Sequence, residues 1–190
     1  LELRKSGLAG EILVMGLTEA SLLPAAIQAE LTLTVGDLAG LSTAEAAAAA
    51  LEKPVTVHLA VDTGFHRLGI DVTEEAAEQV ASAMKRLRWV KAVGLYSHLG
   101  LITPERDQMQ YDNLMRMQSM LAARGVTFTD LHLCDSIGLV RYPQWHMSRV
   151  RVGALLFGVR PYHSESMPFE DRETLTFHTT VSQVRDVAAG

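Results

Sequence analysis

The sequence predicts an α/β fold: a parallel sheet covered by helices, closed as a partial (β/α)8 TIM barrel. Three observations carry that expectation. Short β-branched or apolar runs alternate with helical patterns along most of the chain, as parallel strands joined by crossover helices require. Asp62, His98, Ser136 and Met15 fall at the C-terminal ends of successive runs, and Arg151 and Gly153 lie in the last one. Groups spread over that many strand ends suit a barrel mouth better than the single crevice of an open doubly wound sheet. The strands lie near Ile12, Leu33, Val57, Val93, Leu131 and Val152, which makes them strands 3–8 of a barrel. A β-prone run at 175–187 breaks the alternation and reads as the first strand of a C-terminal β domain. The expected division is therefore 1–160 for the partial barrel and 161–190 for the connection and the start of that domain.

The elements follow in order. LELRKSG reads as the last turn of a helix, with Arg4 and Lys5 before Gly7. EILVMG is a strand, 18–30 a helix and LTLTV the next strand. The Ala-rich stretch 41–53 is helical, with Ser42 or Thr43 placed to cap it. After the strand VTVHLAVD, Thr73 caps a helix whose first turn holds Glu74 and Glu75 and whose last turn holds Lys85 and Arg86, matching the helix dipole. VKAVGLYSHL is a strand. Thr103-Pro104 starts a long helix ending at Gly125, with Leu114, Met117 and Leu121 along one face. DLHLCDS and RVRVGALLFGV are the last barrel strands, joined by IGLVRYP. The polar connection that follows contains Pro161 and Pro168.

Composition narrows the function. With 48% hydrophobic and 21% charged residues, the 190-residue chain can bury a core. A net charge of -5 and the lack of a Lys/Arg stripe argue against a nucleic-acid partner. Cys134 stands alone, so no intrachain disulfide can form, and a reducing, cytoplasmic setting is expected. No signal peptide or membrane span is legible, since the alanines at 46–50 are few and flanked by charge. A chain that opens on the end of a helix and closes on an unpartnered β run reads as an internal piece of a longer protein.

The chemistry-bearing residues each have a plain reading beside the functional one. VDTGFHRLGI contains one Asp-Thr-Gly, whereas an aspartic protease needs two such carboxylates sharing a proton. The better reading of Asp62 is a tight turn whose amides it binds. That leaves Arg67, a five-donor fork placed just past the turn. His98 alone is more often a satisfied rim residue than a catalyst. His58, His98 and His132 lack HxH or HExxH spacing, and no metal is expected. Ser136 with the Gly153 backbone could hold a phosphate near the last barrel strands, or be a turn serine and a packing glycine; the two readings balance. Arg151 lies in an apolar run, where a guanidinium is costly unless something accepts its hydrogen bonds. A cofactor heteroatom would serve, and so would Asp135.

Taken together and in this order, VDTGFHRLGI, GLYSHLG, HLCDSIGLVRYP and VRVGALLFGV resemble alanine racemase, the fold type III family that uses pyridoxal 5'-phosphate. The resemblance covers essentially the whole chain, and the SHL and SxGLxxYP details are similar to the serine/alanine racemase branch. It implies interconversion of L- and D-alanine, or of serine, in a homodimer. It also implies roles. Arg151 faces the pyridine nitrogen and keeps it unprotonated, His98 donates to Arg151, and Arg67 serves the phenolic oxygen and a catalytic tyrosine. Ser136, Gly153 and Ala154 hold the phosphate, and Met15 lines the cofactor.

Two positions depart from the pattern. Ala60 stands where many members carry a carbamylated lysine, and Asp135 where asparagine is usual. Nothing here matches the family's Schiff-base lysine motif, and its second base, a tyrosine, belongs to the β domain. Lys5, Lys53, Lys85 and Lys91 sit at helix ends or in loops. The chain alone is therefore expected to be inactive, and a cofactor-binding homologue without catalysis is the alternative.

Overall fold

The alternation of β-branched and helix-forming runs becomes a parallel sheet with its crossover helices. The computed structural model describes residues 1–159, 169, 170, 172 and 174–188. Its strands are β1 (Leu13–Leu17), β2 (Thr32–Val35), β3 (Val55–Asp62), the two-residue β4 (Ile70–Asp71), β5 (Val90–Tyr96) and β6 (Asp130–His132). All pair in parallel, in the order β1-β2-β3-β5-β6, with β4 beside β3. Apart from that short addition, each strand lies next to its predecessor, with no reversal of direction. A doubly wound sheet reverses; a barrel does not.

The helices are α1 (Glu2–Lys5), α2 (Leu23–Gln28), α3 (Leu38–Ala50), α4 (Glu74–Met84), α5 (Pro104–Ala122) and α6 (Ser136–Arg141). Thr73 caps α4 by accepting from the Ala76 amide at 3.0 Å, and Thr103 caps α5 from Arg106 at 3.3 Å. Both caps are where the sequence placed them. Helix α3 starts three residues earlier than expected, because Asp37 takes the cap and accepts from Gly40 at 2.6 Å, while Ser42 and Thr43 bond back to carbonyls within the helix. Glu45 of α3 reaches across to the backbone, its carboxylate accepting from Arg88, Trp89 and Val90 at 2.8–2.9 Å, and so fixes where β5 begins.

The two faces of the sheet differ. Leu33, Val57, Leu59 and Leu95 join one apolar cluster with Leu41, Ala77, Val80, Leu114, Met117 and Leu121 from the helices. Each leucine fully buried there contributes about 2 kcal/mol, so the packed face of α5 outweighs its cap. Side chains alternate along strands, and the opposite face carries Thr34, His58, Tyr96 and His132, which touch one another inside the barrel.

Two strand expectations are corrected. Around Val152 the chain is irregular and enters a 3-10 turn at Ala154–Phe157, because Arg151 and Gly153 are committed to side-chain and loop contacts instead of a ladder. Residues 174–188 form no strand; Phe177 and Val184 are 91% and 85% exposed, and this run has no sheet partner among the described residues. The connection containing Pro161 and Pro168 lies outside the described residues.

Candidate active site

The turn after β3 is built on a carboxylate. Asp62 Oδ1 accepts from the Gly64 and His66 amides at 2.9 and 3.0 Å, and Oδ2 lies 3.2 Å from His66 Nδ1. Partial burial opposes ionisation, yet these hydrogen bonds prevail and hold the Asp62 carboxyl below its ordinary range. Gly64 supplies the positive φ of 120° that the turn needs. Thr63 points inward and donates to Ser97 Oγ, which itself donates to Val61 O, each at 2.7 Å. Asp62 thus shapes the turn, and the turn delivers Phe65 and Arg67 to the mouth. The Arg67 guanidinium lies 5.0 Å from the Phe65 ring, which meets His98 edge-on at 5.1 Å.

Arg151 comes from the opposite end of the chain. Its amide donates to Cys134 O at 3.0 Å, beside the end of β6, and its side chain turns into the barrel. Nη1 donates to His132 Nδ1 at 2.6 Å; Nη2 donates to Ser97 O at 2.8 Å and Leu133 O at 3.0 Å, and lies 3.5 Å from His98 Nδ1. The guanidinium also sits 5.3 Å from the Tyr96 ring centre. Burial pulls its pKa below the ordinary value, but an arginine stays charged at neutral pH. Here the expected donor is reversed. A guanidinium has no acceptor, so Arg151 donates and His98 accepts. Burial first, and then the nearby Arg67, lowers the His98 pKa, so its imidazole is neutral.

Asp135 is not the partner of Arg151. It caps α6, its Oδ1 accepting from Ile137 and Gly138 at 3.0 and 2.9 Å. Next to it the Ser136 hydroxyl accepts from the Gly153 amide at 2.9 Å, and a β-carbon added to Gly153 would meet nothing within 4 Å. Met15, on β1, joins this assembly through its carbonyl, which accepts from the Tyr96 hydroxyl at 3.1 Å. Ala60 is buried and lies opposite Tyr96 in the β3–β5 register.

Two residues of this site, His132 and Tyr96, were not singled out from sequence for these contacts. Their rings stack at 4.6 Å and 10°, forming the floor under Arg151. Their signal was the polar alternation of inward positions. His132 is buried with His58 beside it, and desolvation, with Arg151 adding to it, pushes its pKa down to about 2. His58 is lowered too, chiefly by burial.

The folded state therefore holds two uncharged imidazoles, while the unfolded chain takes up protons below about pH 6.5. Stability is present above that pH and falls as pH drops. Between pH 6.5 and 5 we expect a loss of about 2 kcal/mol from His132 alone, read from urea midpoints. A midpoint that does not move across this window would refute the assignment.

The donors fit a phosphorylated pyridine ring. Arg151 offers only N–H groups to a ring nitrogen, and beside the Ser136 hydroxyl the Gly153 backbone borders open space on its Cα side. A groove between the N-termini of α3 and α4 is lined by Asp37, Asp71 and Glu75 and by no basic residue, which disfavours a phosphate ester there.

Polar groups gathered at the C-terminal rim of a chain-ordered parallel sheet place the chain in the class of α/β barrels, whose sites lie at that face. The family model described as the N-terminal domain of alanine racemase matches residues 1–161. Alanine racemase 1 of Caldanaerobacter subterraneus subsp. tengcongensis is 31% identical over 193 residues, covering 100% of this chain and 50% of its own length. Alanine racemase 1 of Bacillus subtilis is 29% identical, with 100% and 49% covered. The structure of alanine racemase from Clostridium difficile 630 in complex with cycloserine aligns with a TM-score of 0.81 at 25% identity, covering 85% of this chain and 45% of that one. The chain belongs to the alanine racemase family, whose members depend on pyridoxal phosphate. It spans about half the length of the curated relatives it matches.

Proposed function

We propose that this chain supplies the cofactor-binding barrel of a pyridoxal-phosphate-dependent racemase acting on alanine, with serine as the alternative substrate, in a cytoplasmic homodimer. Residues 161–190 would lead from that barrel to a C-terminal β domain. The observation that carries the reading is the half-buried guanidinium of Arg151. Its bonds to His132, Ser97 and Leu133 leave Nε–H and one Nη1–H uncommitted by those contacts.

When bound, pyridoxal phosphate supplies an electron sink for the charge left on a substrate carbon that has lost its proton. Arg151 can only donate, so it would hold the ring nitrogen as an acceptor and give it no proton. Ser136, Gly153 and Ala154 would hold the phosphate, and Met15 would line the site. Arg67 brings positive charge to the phenolic oxygen. His98, neutral and beside both arginines, keeps a third cation out of the site. The groups that take and return the proton, a lysine and a tyrosine, come from outside these residues.

The test is proton exchange in heavy water. The intact, cofactor-loaded protein is expected to replace the α-proton of alanine with deuterium, and the 190-residue chain alone is not. Loaded intact protein that exchanges nothing would leave the second reading, a cofactor-binding homologue without catalysis. That reading is favoured by Arg67, which makes no ion pair among the described residues, with Ala60 at the position of the expected support.

Asp135 allows a separate check. Asparagine can keep the cap of α6 while removing a negative charge beside the phosphate donors. D135N is expected to bind pyridoxal phosphate several-fold more tightly in titration calorimetry, a gain of about 1 kcal/mol. Unchanged or weaker binding would count against a phosphate at this place.

A further inference from the structure

We infer that His58 is a positioning residue for Arg151, acting through His132 in a one-way chain of hydrogen bonds that forms only when both imidazoles are uncharged. This rests on the reading of Arg151 as the group that meets the cofactor ring.

Proton positions follow from the donors. Arg151 Nη1 must donate, so His132 Nδ1, 2.6 Å away, must be the bare nitrogen. The proton of neutral His132 is then on Nε2, which lies 2.8 Å from His58 Nδ1. His58 Nδ1 must accept, and its own proton is on Nε2. A second proton on either ring breaks the sequence. A charged His58 would donate from Nδ1 and force the His132 proton onto the nitrogen that faces Arg151. A charged His132 would face it directly. Only one arrangement keeps both contacts.

The surroundings hold the rings in that state. His58 and His132 are both fully buried, with ring centres 5.1 Å apart. A β-carbon on Gly94 would fall 2.5 Å from His58 Cγ, so the ring lies against the β5 backbone. The charged groups around His58 are Asp130, Arg149 and Glu11. Asp130 Oδ2 is 3.8 Å from His58 Nε2, beyond hydrogen-bond reach, and Asp130 is paired with Arg149, which also meets Glu11 at 3.3 Å. Asp130 favours a second proton on His58 and Arg149 disfavours it; burial sides with Arg149. Among the described residues His58 Nε2 and Asp130 Oδ1 have no hydrogen-bond partner, so no hydrogen bond on the far side of the ring competes for its orientation. The contact to His132 sets it.

The experiment uses the 190-residue chain labelled with ¹⁵N-histidine and ¹⁵N-arginine, read by long-range ¹H–¹⁵N correlation at pH 7. Both His58 and His132 are expected as Nε2–H tautomers. Either ring found protonated at Nδ1, or charged, overturns the inference. H58N places a carboxamide oxygen where Nδ1 accepts, whereas H58L removes the acceptor. Solvent exchange of the Arg151 side-chain N–H groups is expected to quicken about tenfold in H58L and to stay within about twofold of the parent in H58N. Equal exchange in H58L and the parent overturns the inference, as does H58N exchanging like H58L. If H58L does not fold, the parent tautomers and H58N decide. None of these signals needs the cofactor. An intact histidine chain in a protein that binds no pyridoxal phosphate would therefore sink the functional reading and leave this one standing.

Discussion

R151A is expected to lower the stability of the chain by about 3 kcal/mol, a large share of what a domain of this size has. The guanidinium satisfies three acceptors at once, Ser97 O, Leu133 O and His132 Nδ1, and the residues that own them are all buried. Each buried acceptor left bare costs about 1–3 kcal/mol, and relief from desolvating the guanidinium returns only part of that. R151K should recover less than half, because an ammonium cannot span acceptors from separate strand ends as a planar fork does. Urea midpoints of the three proteins measure this. A loss under about 1 kcal/mol in R151A would mean that the guanidinium is held for its ligand alone and does nothing for the fold.

G94A should be the most damaging single methyl in the sheet. Gly94 pairs with His58 in register, and the added β-carbon would overlap Nδ1, Cγ and Cε1 of the imidazole. The ring is enclosed, so it can yield only by giving up its contact to His132. We expect a cost of about 3 kcal/mol or more, above the usual penalty for overpacking. The double variant G94A/H58A removes what the methyl strikes. Its loss should fall short of the sum of the single losses by about 2 kcal/mol. Additive losses would place the clash elsewhere.

The sequence made the frame legible where local chemistry and tertiary packing agree. Thr73 and Thr103 stand directly before Glu74 and Pro104, so the helix starts could be read from the cap onward. For α3 the signal failed. An alanine-rich stretch has no apolar stripe to locate its start, and Asp37 competes silently with two nearer hydroxyl residues. The strand expected at Val152 failed for a different reason. β-branched and apolar residues predict pairing, but Gly153 and Arg151 draw the backbone out of the ladder.

At the site, Asp62 was legible as a turn residue because its partners lie within four positions. Arg67, His98 and Arg151 were named one by one and through the family resemblance; that His98 accepts from Arg151 is geometry. The pairing of His58 with His132, 74 residues apart, was invisible. Each looked like an isolated strand histidine, and only the register of β3 and β6 across β5 makes them neighbours.

Tyr96 carries one more consequence. Its hydroxyl receives a hydrogen bond from Thr34 at 2.9 Å and donates to Met15 O, while its ring lies on His132. One phenol thus ties β1 and β2 to the opposite edge of the sheet across the barrel interior. The four strands cannot breathe independently, and amide deuteration along them should proceed as one cooperative unit with a shared opening energy. Replacing Tyr96 with phenylalanine would keep the ring and cut the cord, letting β1 exchange ahead of the others.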